Sequence, residues 1–141
     1  MNPSHNKLLE AVQELVDSKY QFVPDLVNPE SQLGEVIALL EVATRLQCSL
    51  FLVYETAKSD RKSHEAVFRK AMTLTSLAKA PTIAQLADAL QLDPTNVQHM
   101  TLEMAFETAI ESLKLHLKLY ESYRECLFRL LSLKSAETRN V

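Results

Sequence analysis

Apolar residues recur at intervals of three and four along most of the chain, which is the spacing of amphipathic α-helices. One such pattern follows Pro29. Its inward positions are Leu33, Val36, Ile37, Leu40, Ala43, Leu50, Tyr54 and Ala57. A second apolar stripe beside it comprises Leu39, Val42, Leu46 and Val53. The second stripe predicts a helix with a wide apolar surface.

Local signals mark where the helices begin. The pairs Asn2–Pro3, Asn28–Pro29 and Asp93–Pro94 each place an Asn or Asp at the N-cap and a proline at the first helical position. Thr82 is followed three residues later by Gln85, which is a capping-box pattern. These signals predict helices that begin at residues 3, 29, 83 and 94.

The remaining boundaries follow from the polar interruptions. The first helix is predicted to end at Ser18, and Tyr20, Phe22 and Val23 of the connection after it are expected to pack inward. Residues 55–65 hold one apolar residue and predict a helix–helix turn, although one continuous helix is the alternative. The next helix is expected to end before Pro81. Its inward positions are Val67, Phe68, Ala71, Met72, Leu74 and Leu77.

The last two helices are predicted to run from Ile83 to about Leu90 and from Pro94 to about Lys134, the latter ~60 Å long. The predicted fold is therefore an all-α helical bundle of about five helices with one long C-terminal helix, forming a single domain over residues 1–141. The low glycine content agrees with this: Gly34 is the one glycine, and hairpins, phosphate-binding loops and nucleophile elbows all need that residue.

The last helix carries two apolar seams that continue to its C-terminal end, beyond the reach of most of the shorter helices. Arg124 interrupts one row, as a polar residue that sets register does in a helical interface. We therefore expect another protein or a second copy of the chain to cover this end. The predicted interface residues are Tyr123, Leu127, Phe128, Leu130 and Leu131.

No residue pattern typical of catalysis or metal binding is present in the sequence. No histidine has another histidine three or four residues away, and Cys48 and Cys126 lie in apolar runs typical of buried thiols. We expect no catalytic residues, no metal, no cofactor and no enzymatic activity. The N-terminus shows no signal peptide, and no uninterrupted apolar run approaches ~18 residues, so we expect a cytoplasmic protein with no membrane segment.

One segment offers a more specific motif. Residues 82–102 match a Leu-Ala-x-x-Leu-x-Leu-Asp-x-x-x-Val pattern. The matching positions are Leu86, Ala87, Leu90, Leu92, Asp93 and Val97. The segment resembles bacterial helix-turn-helix regulators, which implies DNA binding through the second helix. It departs from them in having Gln91 where the turn usually has glycine, and in a second helix that continues for about forty residues.

Charge weighs against that resemblance. Residues 80–113 contain no Lys or Arg and five Asp or Glu, whereas DNA affinity comes largely from neutralising phosphates. Two other segments, 58–79 and 114–141, are basic. Their candidate phosphate-binding residues are Arg61, Lys62, Arg69, Lys70, Lys114, Lys118 and Arg129. These could follow a phosphate backbone, or Arg69 and Lys70 could pair with Glu103 and Glu107 inside the protein.

The sequence therefore predicts a non-enzymatic helical interaction protein, such as a small subunit, an adaptor or a chaperone-like partner, that binds another protein or itself. The alternative is a nucleic-acid-associated helical protein that contacts phosphates through its basic helices, or a helix-turn-helix regulator.

Overall fold

The computed structural model describes residues 2–18, 20–75 and 79–139. In these ranges the chain forms four α-helices and no strand, which confirms the all-α class. Their bounds are α1 Pro3–Asp17, α2 Pro29–Thr75, α3 Ile83–Leu92 and α4 Pro94–Arg139. The prediction of about five helices was too high by one, and α2, with 47 residues, is as long as α4, with 46.

The missing boundary is the turn predicted at residues 55–65, which lies inside the continuous helix α2. No glycine or proline occurs between Gly34 and Pro81 to stop the helix. The polar side chains instead pair along the helix surface, with Lys58 3.9 Å from Glu55 and Arg61 3.4 Å from Glu65. Such pairs at three- and four-residue spacing stabilise an exposed helix. The polar run is therefore a solvated helical face.

The predicted helix starts are confirmed at all four positions. The Asn2 side chain accepts a hydrogen bond from the backbone N–H of Ser4, at 2.9 Å. Thr82 and Gln85 form the complete capping box at the start of α3. The Asp93 carboxylate accepts the backbone N–H of Asn96 at 3.0 Å, which caps α4. Each cap satisfies a backbone donor that the first turn of a helix leaves free.

The chain divides into two compact units. One comprises Phe51–Thr108, here called the 51–108 unit, and the other, here called the terminal unit, comprises Asn2–Leu50 and Ala109–Val141. Their boundaries fall inside α2 and α4 and not in exposed linkers, where domain boundaries usually lie. The division therefore leaves the single domain over residues 1–141 as a prediction.

The terminal unit contains most of the buried apolar side chains. Each of them is at most 8% exposed, and all three of its helical segments contribute. The set is Val12, Leu15, Val36, Leu40, Ala43, Leu50, Ile110, Leu113, Tyr120 and Leu127. In α4 the last three repeat every seven residues, as the sequence pattern predicted, and this row forms the core face of the helix.

The 51–108 unit has a much smaller core. Among its described residues, the buried hydrophobic side chains are Ala57, Leu90 and Phe106. The predicted inward positions Val67 and Leu74 were wrong, since they are 67% and 74% exposed. Because α2 does not turn, the face that it buries continues along the helix past residues 55–65. Neighbouring residues differ by about 100° around the helix axis, so Val67 and Leu74 lie away from that face. Leu77 lies outside the described residues.

Gly34 gives a first prediction. It lies within α2 with ordinary negative φ, and a Cβ built on it meets no atom within 4 Å. Since glycine disfavours a helix interior by about 0.8–1 kcal/mol relative to alanine, Gly34→Ala should raise the free energy of unfolding by about that amount. Urea denaturation followed by circular dichroism measures it. A lower midpoint for the variant would contradict the open surroundings of this residue.

Candidate interaction surfaces

The predicted interface on the C-terminal half of α4 is only partly accessible. Leu127 is fully buried in the terminal unit, so it cannot contact a partner and is corrected to a core residue. The ring of Tyr123 is stacked on that of Phe22, with centroids 4.3 Å apart, and lies 6.1 Å from that of Tyr20. The connection between α1 and α2 therefore covers Tyr123 from within the chain.

Tyr120 belongs to the same aromatic cluster of the terminal unit as Tyr20, Phe22 and Tyr123. Tyr20 meets Tyr120 edge-to-face, with centroids 6.5 Å apart. Burial raises the pKa of the Tyr20 and Tyr120 hydroxyls above the usual value. The expectation that Tyr20 and Phe22 pack inward agrees with these contacts, whereas Val23 is 72% exposed and was placed wrongly.

The other predicted interface residues remain at the surface. Phe128 is 50% exposed, and Leu130 and Leu131 are half-buried. Phe128 and Leu131 line a shallow hollow of about 490 Å³ near the C-terminal end of α4. Contact with a partner at this end stays a prediction for these three residues.

A second hollow in the terminal unit lies between α2 and α4. We call it the arginine groove; its volume is about 460 Å³ and its lining residues are Ile37, Leu40, Glu41, Thr44, Arg45 and Arg124. The Glu41 carboxylate is 4.0 Å from Arg45, and both side chains are largely exposed. Arg124 is half-buried and forms no ion pair or hydrogen bond within residues 2–18, 20–75 and 79–139. The groove therefore presents a partly desolvated cation.

In the 51–108 unit, the basic side chains of α2 meet carboxylates. Arg61 Nε donates to Glu103 Oε2 at 2.5 Å, and this hydrogen bond raises the pKa of Arg61 above its usual value. Glu65 accepts from Arg61 at 3.4 Å and from Arg69 at 2.6 Å. Internal pairing was the alternative that the sequence left open, although the arginine that reaches Glu103 is Arg61 and not Arg69.

The seven candidate phosphate-binding residues thus differ in availability. Arg61 and Arg69 are paired as described, and Lys114 lies 3.1 Å from Glu111. Glu125 lies four residues before Arg129 on α4, but the two form no ion pair in the described part of the chain. The remaining four candidates are exposed and form no ion pair with a described residue. They are Lys62, Lys70, Lys118 and Arg129.

A histidine–carboxylate contact holds the corner between α3 and α4. His64 Nε2 is 2.6 Å from Asp93 Oδ2, and the rings of His64 and His99 lie 5.5 Å apart. The hydrogen bond to His64, aided by the Asn96 N–H, holds the pKa of Asp93 below its usual value. Asn96 is buried, and its amide donates to the Leu90 carbonyl at 3.1 Å. These bonds connect α2, α3 and α4 within one unit.

The depressed pKa of Asp93 predicts an acid-sensitive unit. A carboxylate whose pKa is lower in the folded state contributes stability above its unfolded pKa, and this contribution is lost as pH falls through the folded pKa. The free energy of unfolding should therefore decrease as the pH is lowered below 3.8, the usual pKa of Asp. Asp93→Asn should lose less stability than the wild type over the same drop in pH. Urea midpoints measured from pH 6 to pH 3 test this. Parallel pH profiles for the two proteins would exclude Asp93 as the cause.

The segment that resembles a helix-turn-helix has a different geometry. Only Asp93 separates α3 from α4, whereas the motif has a turn of three or four residues. Of the matching apolar positions, Leu90 is buried, but Leu92 is 83% exposed and Val97 is 46% exposed. The pattern coincides with a capped helical corner, and a helix-turn-helix regulator stays a prediction.

The same part of α4 instead presents an exposed apolar face. Val97, Met100 and Met104 are 46%, 45% and 63% exposed and follow one another at intervals of three and four, so they share one side of the helix. We call these three residues the methionine face. No Lys or Arg occurs between residues 80 and 113. The exposure of this face could not be predicted from the sequence, because its spacing equals that of a buried stripe.

The described residues show no arrangement suited to a metal ion. Within residues 2–18, 20–75 and 79–139, no group of three or more His, Cys, Asp or Glu side chains could hold one. Cys48 is exposed and Cys126 is half-buried, so the prediction that both are buried was wrong for Cys48. The absence of enzymatic activity and of a cofactor stays a prediction.

Helix α2 is long and apolar enough to cross a membrane, judged by length and composition alone. In its most apolar 18-residue stretch, 22% of the residues are buried inside the structure. The core helix of a water-soluble protein passes the same test when it is mostly buried, which this stretch is not, although Val36, Leu40 and Ala43 of α2 pack in the core of the terminal unit. The expected lack of a membrane segment and the cytoplasmic location therefore stay predictions.

Comparison with known proteins assigns no relative. No model of a protein family matches the chain, and no curated protein and no solved structure is similar to it at the level that shows kinship. The surfaces of the chain itself are therefore what points to its function.

Proposed function

We propose that the chain is a non-enzymatic helical interaction protein, acting in the cytoplasm as a small subunit, adaptor or chaperone-like partner. It binds another protein through the methionine face of α4. The observation that carries this proposal is the exposure of Val97, Met100 and Met104 on one side of the helix. Methionine side chains adapt to irregular apolar surfaces and are common where proteins bind partner helices.

The small core of the 51–108 unit supports the proposal that a partner binds to this unit. Beside three buried hydrophobic side chains, the described residues of this unit include nine large exposed ones. They are Phe51, Leu52, Val67, Leu74, Ile83, Leu92, Val97, Met100 and Met104. Single exposed apolar residues are common on soluble proteins, but Val97, Met100 and Met104 lie side by side on α4, and contiguous exposed apolar patches mark surfaces that a partner covers. Binding to the folded unit also stabilises it.

The nucleic-acid alternative gains less support. Arg61, Arg69 and Lys114 already contact carboxylates, so phosphate binding would have to replace those ion pairs. The methionine face lies in a segment with five acidic and no basic residues, which repels a phosphate backbone. A protein partner is therefore the better supported proposal.

Affinity capture from native lysate with a face variant tests this. The variant combines Val97→Gln, Met100→Gln and Met104→Gln, since glutamine favours helix but removes the apolar contact. We expect at least one protein to be retained by the wild type and to fall by about tenfold or more with the variant, a loss of about 1.4 kcal/mol in binding. Quantitative mass spectrometry measures the retained amounts.

Two controls accompany the capture. Leu115→Gln with Leu133→Gln changes two residues of α4 that are 64% and 63% exposed and lie outside the methionine face, and this variant should retain the same protein. Nuclease treatment of the lysate should not change the result. Equal retention by wild type and face variant would refute the proposal, and retention lost only with nuclease would favour the nucleic-acid alternative.

A further inference from the structure

The arginine groove of the terminal unit holds a cation without a counter-ion. Arg124 lies seven residues after Leu117 and seven before Leu131, so it occupies an otherwise apolar row of α4. It is half-buried and has no carboxylate partner among the described residues. Partly removing a guanidinium from water costs free energy unless a carboxylate compensates it. The groove therefore fits a ligand that brings a carboxylate.

The groove also carries a carboxylate that is available for pairing. Glu41 lines it, and its nearest cation, Arg45, is 4.0 Å away at the limit of an ion pair. Both side chains are mostly exposed, with 64% and 81% of their surfaces in contact with solvent. Glu41 does not form an ion pair with Arg124 of its own chain in the described structure. One surface thus presents both an unused cation and a weakly held anion.

Such a surface is complementary to itself. In a twofold dimer the same patch faces its own copy, so that residue i of one chain contacts residue j of the other, and j contacts i. We propose that the arginine groove is the contact between two copies of this chain, with Arg124 of each copy paired to Glu41 of the other. The twofold symmetry gives two Arg124–Glu41 pairs, so that neither residue needs a further partner.

Apolar side chains continue this surface on both helices. Ile37 is 38% exposed at the groove on α2. On α4, Phe128 and Leu131 follow Arg124 by four and seven residues and so share its face of the helix. Phe128 is 50% exposed and Leu131 is half-buried. An apolar area with one charge pair at a fixed position is the arrangement that sets register in helical interfaces.

The dimer deepens the proposed function and rests on it, since both take exposed helix faces as contact surfaces. The residues involved are different, however, since the methionine face belongs to the 51–108 unit and the arginine groove to the terminal unit. The face variant Val97→Gln, Met100→Gln and Met104→Gln should leave dimerisation unchanged. A result that refutes the dimer therefore leaves the proposal of a protein partner at the methionine face untouched. A result that refutes binding at the methionine face likewise leaves the dimer untouched.

Charge exchange between copies provides the test. Arg124→Glu makes both positions acidic and Glu41→Arg makes both basic, so each variant alone should dimerise at least about tenfold more weakly than the wild type. A mixture of the two variants should form a heterodimer of about wild-type strength. In that heterodimer the two introduced side chains, one acidic and one basic, face each other at one contact, and the native Glu41 and Arg124 face each other at the second.

Sedimentation equilibrium on the full chain measures the dissociation constants of the wild type, of each variant and of the mixture. The matched control is Arg129→Glu, which reverses the charge of an exposed residue on the same helix outside the groove. This control should leave the dissociation constant unchanged because Arg129 lies outside the groove, even though it changes the net charge of the chain by the same amount as Arg124→Glu. A loss of dimer with Arg129→Glu as well as with Arg124→Glu would mean that overall charge, and not the groove, governs association.

A wild type that stays monomeric up to about 100 µM refutes the dimer. Variants that are folded by circular dichroism but do not recover on mixing refute the Arg124–Glu41 pairing and point to an acidic helix of another protein as the occupant. If either charge reversal unfolds the chain, Arg124→Gln and Glu41→Gln replace it, and both must weaken the dimer without changing the helix content.

Discussion

Replacing Leu113 by alanine is expected to lower the free energy of unfolding by about 2–5 kcal/mol. Leu113 lies on α4 in the terminal unit with none of its surface exposed. Removing most of its side chain loses apolar burial and leaves a cavity that the surrounding helices fill only in part. Urea denaturation followed by circular dichroism gives the change, read as a shift in midpoint at constant slope.

Two neighbours on the same helix act as controls. Leu115 is 64% exposed, so Leu115→Ala should change stability by less than about 0.5 kcal/mol. Leu117 is half-buried, and Leu117→Ala should fall between the two. If Leu113→Ala costs no more than Leu115→Ala, the row of α4 assigned to the core does not face the core.

The helix starts could be predicted from sequence because their causes are local. An Asn or Asp side chain can satisfy a backbone N–H of the first turn, and the proline that follows it fixes its own φ, whatever the rest of the chain does. Pro3, Pro29 and Pro94 accordingly begin their helices. Helix ends are less strongly marked: α4 continues to Arg139, beyond the predicted Lys134, because no proline or glycine stops it.

The turn at residues 55–65 could not be decided from composition. Polar side chains suit a loop, and they suit the outer face of a helix equally well. Side-chain pairs such as Arg61–Glu65 favour the helix, yet the same residues in a loop would also be solvated. The apolar positions after this segment were then assigned to the wrong face, since Val67 and Leu74 are exposed.

Burial within the predicted interface depended on distant segments. Leu127 and Phe128 are adjacent in sequence, but one is fully buried and the other is 50% exposed. Tyr123 is covered by Phe22, about a hundred residues earlier in the chain. Periodicity identifies which residues share a face of α4, but only tertiary packing determines which face is covered and by what.

The charged residues show the same limit. The sequence indicated that a basic helix could pair with an acidic one, and the structure contains such a pair. It joins Arg61 to Glu103, 42 residues apart, whereas the sequence favoured Arg69 and Lys70. Arg124 is the opposite case, because its interruption of an apolar row was visible in the sequence, and the structure adds that it lies in a groove beside Glu41.

The largest effect on the 51–108 unit is expected from Phe106→Ala. Phe106 has no exposed surface and is the largest of the three buried hydrophobic side chains described in this unit. A buried phenylalanine contributes about 3–5 kcal/mol relative to alanine. Because the other two described are the smaller Ala57 and Leu90, the unit should lose most of its apolar core, while the buried side chains of the terminal unit are unaltered.

Hydrogen exchange resolved by segment distinguishes the possible results, because it reports local as well as global opening. Phe106→Ala should speed amide exchange in residues 51–108 far more than in residues 2–50 and 109–139. Met104→Ala, at a position that is 63% exposed on the same helix, should leave exchange near the wild-type rate. Equal acceleration in both units would mean that they unfold together, because α2 and α4 run through both, and the chain would then behave as the single domain that the sequence predicts.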